Sequence, residues 1–189
     1  QPLISTLSGR AYGLEALLRW NHPSEGLIPP DMFISYAESL NLIIPLTRHL
    51  FELVARDAHR LNPYVPAGTH MSLNLSPLHL ASESFQQDVK RWIAAMPDNH
   101  FSYVFEVTER TMVRDKNAGE VFAWLHQNDI QIAIDDFGTG HSALIYLEKY
   151  PFDYIKIDRG FVQSIGTQTL NSPVLDAVLR AEIEAKALV

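Results

Sequence analysis

Five short apolar runs in this chain each carry a residue able to hold a cation or a phosphate: Glu15 in GLEALLRW, Asn74 in SLNLS, Glu106 in YVFEVTE, Asp135 and Asp136 in IAIDDF, and Lys156 in YIKID. Any one of them alone says little. A Glu four residues ahead of an Arg, as Glu15 is of Arg19, ordinarily makes a solvated ion pair on a helix face. A lone acid ending a strand is ordinarily solvated or caps a helix, Asn74 ahead of Ser76-Pro77 suits a turn, and a lone lysine such as Lys156 is ordinarily a surface cation. The recurrence of such residues along successive apolar runs is what points to a site.

If Glu15, Glu106, Asp135 and Asp136 are gathered on one rim, their negative charges coexist only with cations or with raised pKa values. Divalent metals resolve the conflict. Carboxylate oxygens and the Asn74 carbonyl, with no sulfur in the chain, suit Mg²⁺ or Mn²⁺ better than Zn²⁺. The adjacent Asp135-Asp136 pair is suggestive, because neighbours on an ideal strand face opposite ways, whereas at a strand's end the backbone can turn both inward. Two ions about 3.5–4 Å apart would share a bridging carboxylate and a hydroxide, an arrangement suited to in-line attack on a phosphodiester. Lys156 would orient the attacking water or neutralise charge developing on phosphate. The histidines contain no HxxxH pair, and His22, His79 and His141 are expected on the surface or in packing.

For these residues to meet, the runs must be strands that share a rim. Periodicity predicts strands over 14–20, 70–75, 102–107, 130–134 and 154–157. Helices are predicted after Pro29-Pro30, where Met32, Phe33, Tyr36, Ala37 and Leu40 recur at helical spacing, and over about 46–61, 84–96, 118–127 and 142–149. Ser172-Pro173 is an N-cap and N1 pair opening a last helix. Strands alternating with helices imply a parallel sheet covered by helices. An open sheet concentrates its ligand at one switch point, while a barrel brings every strand's C-terminal end to one rim; five successive runs offering a reactive residue favour the barrel.

Composition narrows the classes. The chain has 189 residues, enough for one domain with a substantial core, and 47% of them are hydrophobic. It contains no cysteine, which excludes disulfides, thiolate metal sites and a cysteine nucleophile and is compatible with a reducing compartment. A net charge of −7 argues against a groove for duplex nucleic acid. No stretch is apolar enough to cross a bilayer, and Gln1-Pro2-Leu3-Ile4 does not open a signal peptide, as expected of an excised domain. Gly138-Thr-Gly140-His-Ser-Ala143 matches the dinucleotide fingerprint GxGxxA by letters, with Asp158 near the place of a ribose-binding acid. Asp135 and Asp136 directly before those glycines would repel a pyrophosphate, so the glycines are read as a βα loop beside a metal site.

Taken in order, the motifs resemble the EAL domains, bacterial phosphodiesterases that hydrolyse cyclic di-GMP to linear pGpG. The likeness runs through Gln1-Pro2-Leu3-Ile4, EALLRWNHP at 15–23, Gly26-Leu-Ile-Pro29 with Phe33-Ile34 and Ala37-Glu38, NLSP at 74–77, FEVTER at 105–110, DDFGTG at 135–140 and DYIKIDRGFV at 153–162. The resemblance implies a TIM-like (β/α)₈ barrel in which Glu15, Asn74, Glu106 and Asp135 bind one metal, Asp136 helps bind a second, and Lys156 supports the nucleophilic water. It further implies that Arg19 and Leu17 contact the substrate, that Gln1 lies near it, and that Glu109 steadies the loop after Asp136. That loop, with Phe137 to His141, is associated in the family with metal binding and dimerisation. A homodimer, upstream sensory or GGDEF-type domains, and a cytoplasmic domain in a full-length protein that is itself open to membrane anchoring are the corresponding expectations.

The chain departs from the family pattern at His141 and Ala143, where DDFGTGYSSL has Tyr and Ser, and more sharply after Arg180. The AEGVE-type strand, whose first Glu is a metal ligand, and the QG-type strand are missing. Residues 181–189 read as a helix-like tail matching no family motif, so about six of eight barrel strands are expected. A catalytically impaired domain, serving as a cyclic di-GMP receptor or interaction module, is the alternative; a TIM-barrel enzyme for another phosphodiester is a third reading.

Overall fold

In the computed structural model, which describes residues 1–98, 100–108, 111, 118–137 and 143–160, the chain divides into two compact units, Gln1–Tyr103 and Val104–Val189. The predicted helix from Ser172-Pro173, the tail at 181–189 and the loop at 138–142 lie outside the described residues.

The first unit contains β1 (Pro2–Ile4), β2 (Ala11–Ala16), a hairpin of β3 (Trp20–His22) and β4 (Gly26–Ile28), α1 (Pro30–Ser39), α2 (Ile43–Leu61), β5 (Thr69–Asn74), the single turn α3 (Pro77–Leu80) and α4 (Phe85–Ala95). β1 pairs antiparallel with β2, and β2 runs parallel to β5 with Glu15 opposite Ser72. Gly13 makes that pairing possible: a Cβ there would lie 2.8 Å from the His70 Cβ and 3.1 Å from Leu3 Cδ1. Met71, Ser72 and Leu73 of β5 are buried, and the strand emerges at Asn74, which is exposed. Two amphipathic helices cover this core, α2 through Thr47, Phe51, Val54, Ala55 and Ala58 and α4 through Phe85, Asp88, Val89 and Trp92. Each fully buried Phe or Leu contributes roughly 2 kcal/mol.

Three differences from the predicted elements have local causes. The strand predicted over 14–20 ends at Ala16, and Trp20 begins the separate hairpin, where it stands edge-on to Phe33 at 5.6 Å. The helix predicted from about 46 starts at Ile43, because Pro45 falls in the first turn, where a missing N–H costs no intrahelical bond. The turn Pro77–Leu80, unpredicted, is capped by Ser76, whose side chain accepts from Leu78 N.

The second unit contains most of β6 (Phe101–Thr108), then α5 (Ala118–Gln127), β7 (Ile130–Phe137), α6 (Ala143–Lys149) and β8 (Tyr154–Ile157). Val104, Phe105, Glu106 and Val107 are all buried, the unbroken pattern of a strand covered on both faces. α5 places Ala118, Phe122 and Leu125 in the core, and Phe122 meets Tyr150 and Phe152 edge-on. β7 and β8 are parallel, with a register shift between Ile134 and Phe137. Asp153 fixes the entry to β8: its backbone N donates to Ile132 O, and its carboxylate accepts from Ile132 N and pairs with His126 Nε2, each at 2.8 Å.

Candidate active site

The polar residues at the strand ends fall into two groups. In the second unit, Glu106 sits inside the apolar run of β6 with its side chain only 2% exposed. A carboxylate so placed must be paired, and Lys156, pointing from β8, supplies the cation. Its Nζ donates to Glu106 Oε2 at 2.5 Å and to Asp135 Oδ2 at 3.4 Å. Asp135 reaches this ammonium because β7 bulges there. Asp136 adopts a left-handed backbone, φ 54°, and its N–H donates to Asp135 Oδ1 at 3.0 Å. A bulge of this kind re-aims side chains at a sheet's end. It leaves Asp135 half-buried against the lysine, Asp136 exposed and Phe137 back in the core.

In the first unit, Glu15 near the end of β2 accepts from Asn74 Nδ2 at the end of β5, 3.1 Å away. The strand pairing makes this contact: parallel β2 and β5 finish side by side. Gln1 adds to β2 from its other edge, its N donating to Glu15 O and its O accepting from Glu15 N, both at 2.7 Å. Leu17 is half-buried just past β2, and Arg19 is exposed with Nη1 donating to Leu18 O at 2.9 Å. The structure thus brings Glu15, Asn74 and Gln1 together in one unit and Glu106, Asp135 and Lys156 together in the other. Glu109 lies outside the described residues.

Among the described residues no three His, Asp or Glu side chains form a ready-made metal cage. Within each unit the donors are of the hard oxygen type that suits a divalent cation: the Glu15 carboxylate and the Asn74 amide oxygen, left over from the nitrogen spent on Glu15, in the first, and the carboxylates of Glu106, Asp135 and Asp136 in the second. The buried Glu106 carboxylate already demands a positive charge, and Lys156 meets that demand.

Sequence reasoning missed a polar network that joins α2, α3 and α4. His79 on α3 is fully buried, its Nε2 3.2 Å from Asp88 Oδ2, and the same oxygen accepts from Arg48 Nε at 2.8 Å. Burial drives the His79 ring below its ordinary pKa, against the opposing pull of Asp88. Burial also pushes the Asp88 carboxyl up, but hydrogen bonds from Arg48, Ser84 and His79 outweigh it and the group titrates below the usual carboxylate range. The available signal was Asp88 on the apolar stripe of α4, beside Phe85, Val89 and Trp92.

The chain matches the EAL domain family over residues 1–189. It is 56% identical over 179 residues to the probable cyclic di-GMP phosphodiesterase PdeN of Escherichia coli strain K12, an alignment covering 95% of this chain and 35% of PdeN. It is 33% identical over 180 residues to the bifunctional diguanylate cyclase/cyclic di-GMP phosphodiesterase MucR of Pseudomonas aeruginosa, covering 95% of this chain and 26% of MucR. The chain therefore spans about a quarter to a third of the length of these curated relatives. Among solved structures, the cyclic di-GMP complex of the PaMucR phosphodiesterase superposes with a TM-score of 0.84 at 30% identity, covering 99% of this chain and 77% of that one. The fold class is accordingly the TIM-like barrel of these structures. Among the described residues no helix is long and apolar enough to cross a membrane.

Proposed function

Because this chain belongs to the EAL domain family, we propose that it is a cation-dependent phosphodiesterase that hydrolyses cyclic di-GMP to linear pGpG. The observation that carries the reading is the Lys156 ammonium held between the buried Glu106 and Asp135 carboxylates. Hydrolysis adds water to one phosphorus, breaks its bond to the 3′ oxygen and returns a proton to that oxygen. The transition state gathers negative charge, and a donor fixed in advance stabilises it without reorganising. Lys156 Nζ is such a donor: two carboxylates set its position, and its charge is the group assigned to stabilise a phosphate oxygen or to orient the attacking water. Glu15, Asn74, Glu106, Asp135 and Asp136 are the residues that would hold Mg²⁺ or Mn²⁺. Such ions, when bound, supply Lewis acidity and an activated water. Gln1, Leu17 and Arg19 are assigned to the substrate side, Arg19 as an exposed guanidinium suited to phosphate.

The same reading makes this domain the cytoplasmic output module of a longer signalling protein, working as a homodimer alongside sensory or GGDEF-type domains. The much greater length of its relatives, one of them named a bifunctional cyclase and phosphodiesterase, supports this. Incubation with cyclic di-GMP and Mn²⁺ or Mg²⁺, with products identified by mass, is the test. Appearance of pGpG is expected. Binding without conversion would replace the enzyme by a receptor, and neither binding nor conversion would end the reading.

A further inference from the structure

Asn74 stands between two buried leucines, Leu73 and Leu75, and its side chain meets Glu15. What sets the direction of the chain just beyond it is Ser76. The Ser76 hydroxyl donates its proton to Glu38 Oε1 at 2.7 Å and accepts from Leu78 N at 3.3 Å, while the Ser76 carbonyl accepts from His79 N and Leu80 N, both at 3.1 Å. Ser76 is thus both the cap of α3 and a bridge to α1.

Glu38 is otherwise badly placed. It lies in the last turn of α1, where the helix dipole disfavours an acid, and that turn holds no basic residue. Its half-buried position is accounted for by the Ser76 hydroxyl. The turn α3, four residues long, is too short to persist by itself. One end is tied to α4 through His79 and Asp88, and the other carries the Ser76 cap and its link to α1. Loosening the Ser76 end frees the two-residue connection that leads back to Asn74.

We propose that Glu38 is a positioning residue for Asn74, acting through Ser76. The assignment rests on the reading above in that it gives Asn74 a ligand's task, but its first readout needs neither metal nor substrate. In ¹⁵N spectra of the full chain, the Asn74 side-chain amide is identified as the signal lost in Asn74→Ala. Glu38→Ala is expected to shift or broaden that signal and to weaken Mn²⁺ binding, measured by titration calorimetry, about tenfold. Glu38→Gln keeps an oxygen acceptor for Ser76 and is expected to hold Mn²⁺ affinity within about twofold of the parent while restoring the signal. In the Asn74→Ala background, Glu38→Ala should cause no further loss. If Glu38→Ala does not fold, Ser76→Ala takes its place, with Ser76→Thr as the conservative rescue.

An unchanged Asn74 signal in Glu38→Ala would overturn the assignment. So would an equal loss of Mn²⁺ affinity with and without Asn74. Absence of Mn²⁺ binding by the parent chain would count against the proposed function, and the amide signal alone would then decide the role of Glu38.

Discussion

The two groups of strand-end residues are held in place by different physics. Around Lys156 the controlling quantity is charge: a carboxylate that is 2% exposed, a second that is 20% exposed and an ammonium between them. Around Glu15 and Asn74 the contact is an amide on a half-buried carboxylate, and what holds it is backbone: the close pairing of β2 with β5 at Gly13, and the Ser76 cap behind Asn74. The first group carries its own counter-ion and should keep its geometry only while that charge is present. The second depends on strand register and should respond to steric change.

Removing the lysine is the strongest way to break this contrast. Lys156→Met should destabilise the cation-free chain by about 3 kcal/mol in urea unfolding, because it takes the ammonium away from a carboxylate that is 2% exposed. Adding Glu106→Gln should recover much of that loss, and saturating Mn²⁺ should recover part of it in the single variant. A loss that Glu106→Gln leaves untouched would mean the lysine matters for packing and not for charge. Gly13→Ala comes next: forcing a Cβ to within 2.8 Å of His70 should cost about 1–3 kcal/mol and disturb the Asn74 amide signal. Full stability in Gly13→Ala would show that the β2 and β5 backbones have room to separate.

The smallest effect is pH dependence in the first unit. The buried His79 ring resists a proton that the unfolded chain takes up near pH 6.5. Its contribution is therefore complete above that pH and is lost as pH falls through the lowered folded value. The half-buried His70 is shifted downward by burial and acts in the same sense. Asp88, also lowered, keeps its contribution until much more acid conditions. Unfolding measured from about pH 7.5 to about pH 5 should show a fall that flattens in His79→Gln, which retains a donor for Asp88 without titrating. Parallel curves for the two proteins would remove His79 from the account.

What could be read from the letters alone was what depends on local pattern. Glu106 and Lys156 stood out because each interrupts a strongly apolar strand, and the Asp135-Asp136 pair raised the problem of two neighbours facing one side. A bulge stands at that point, with Asp135 on Lys156 and Asp136 exposed in a left-handed backbone. The hairpin of Trp20–His22 with Gly26–Ile28 was hidden because three-residue strands carry no measurable period. The turn Pro77–Leu80 was hidden for the same reason, although Ser76-Pro77 was an N-cap and N1 pair in plain view. Arg48, His79 and Asp88 meet across separations of up to 40 residues, which only tertiary packing defines.

The proposed part of Glu15 in phosphodiester hydrolysis is tested most directly by the Mn²⁺-dependent turnover of cyclic di-GMP by Glu15→Ala. Glu15 is remote in sequence from Glu106, Asp135 and Lys156, and its removal should leave stability within about 1 kcal/mol of the parent. The expected result is loss of pGpG formation with folding intact. Turnover equal to the parent's would contradict the account.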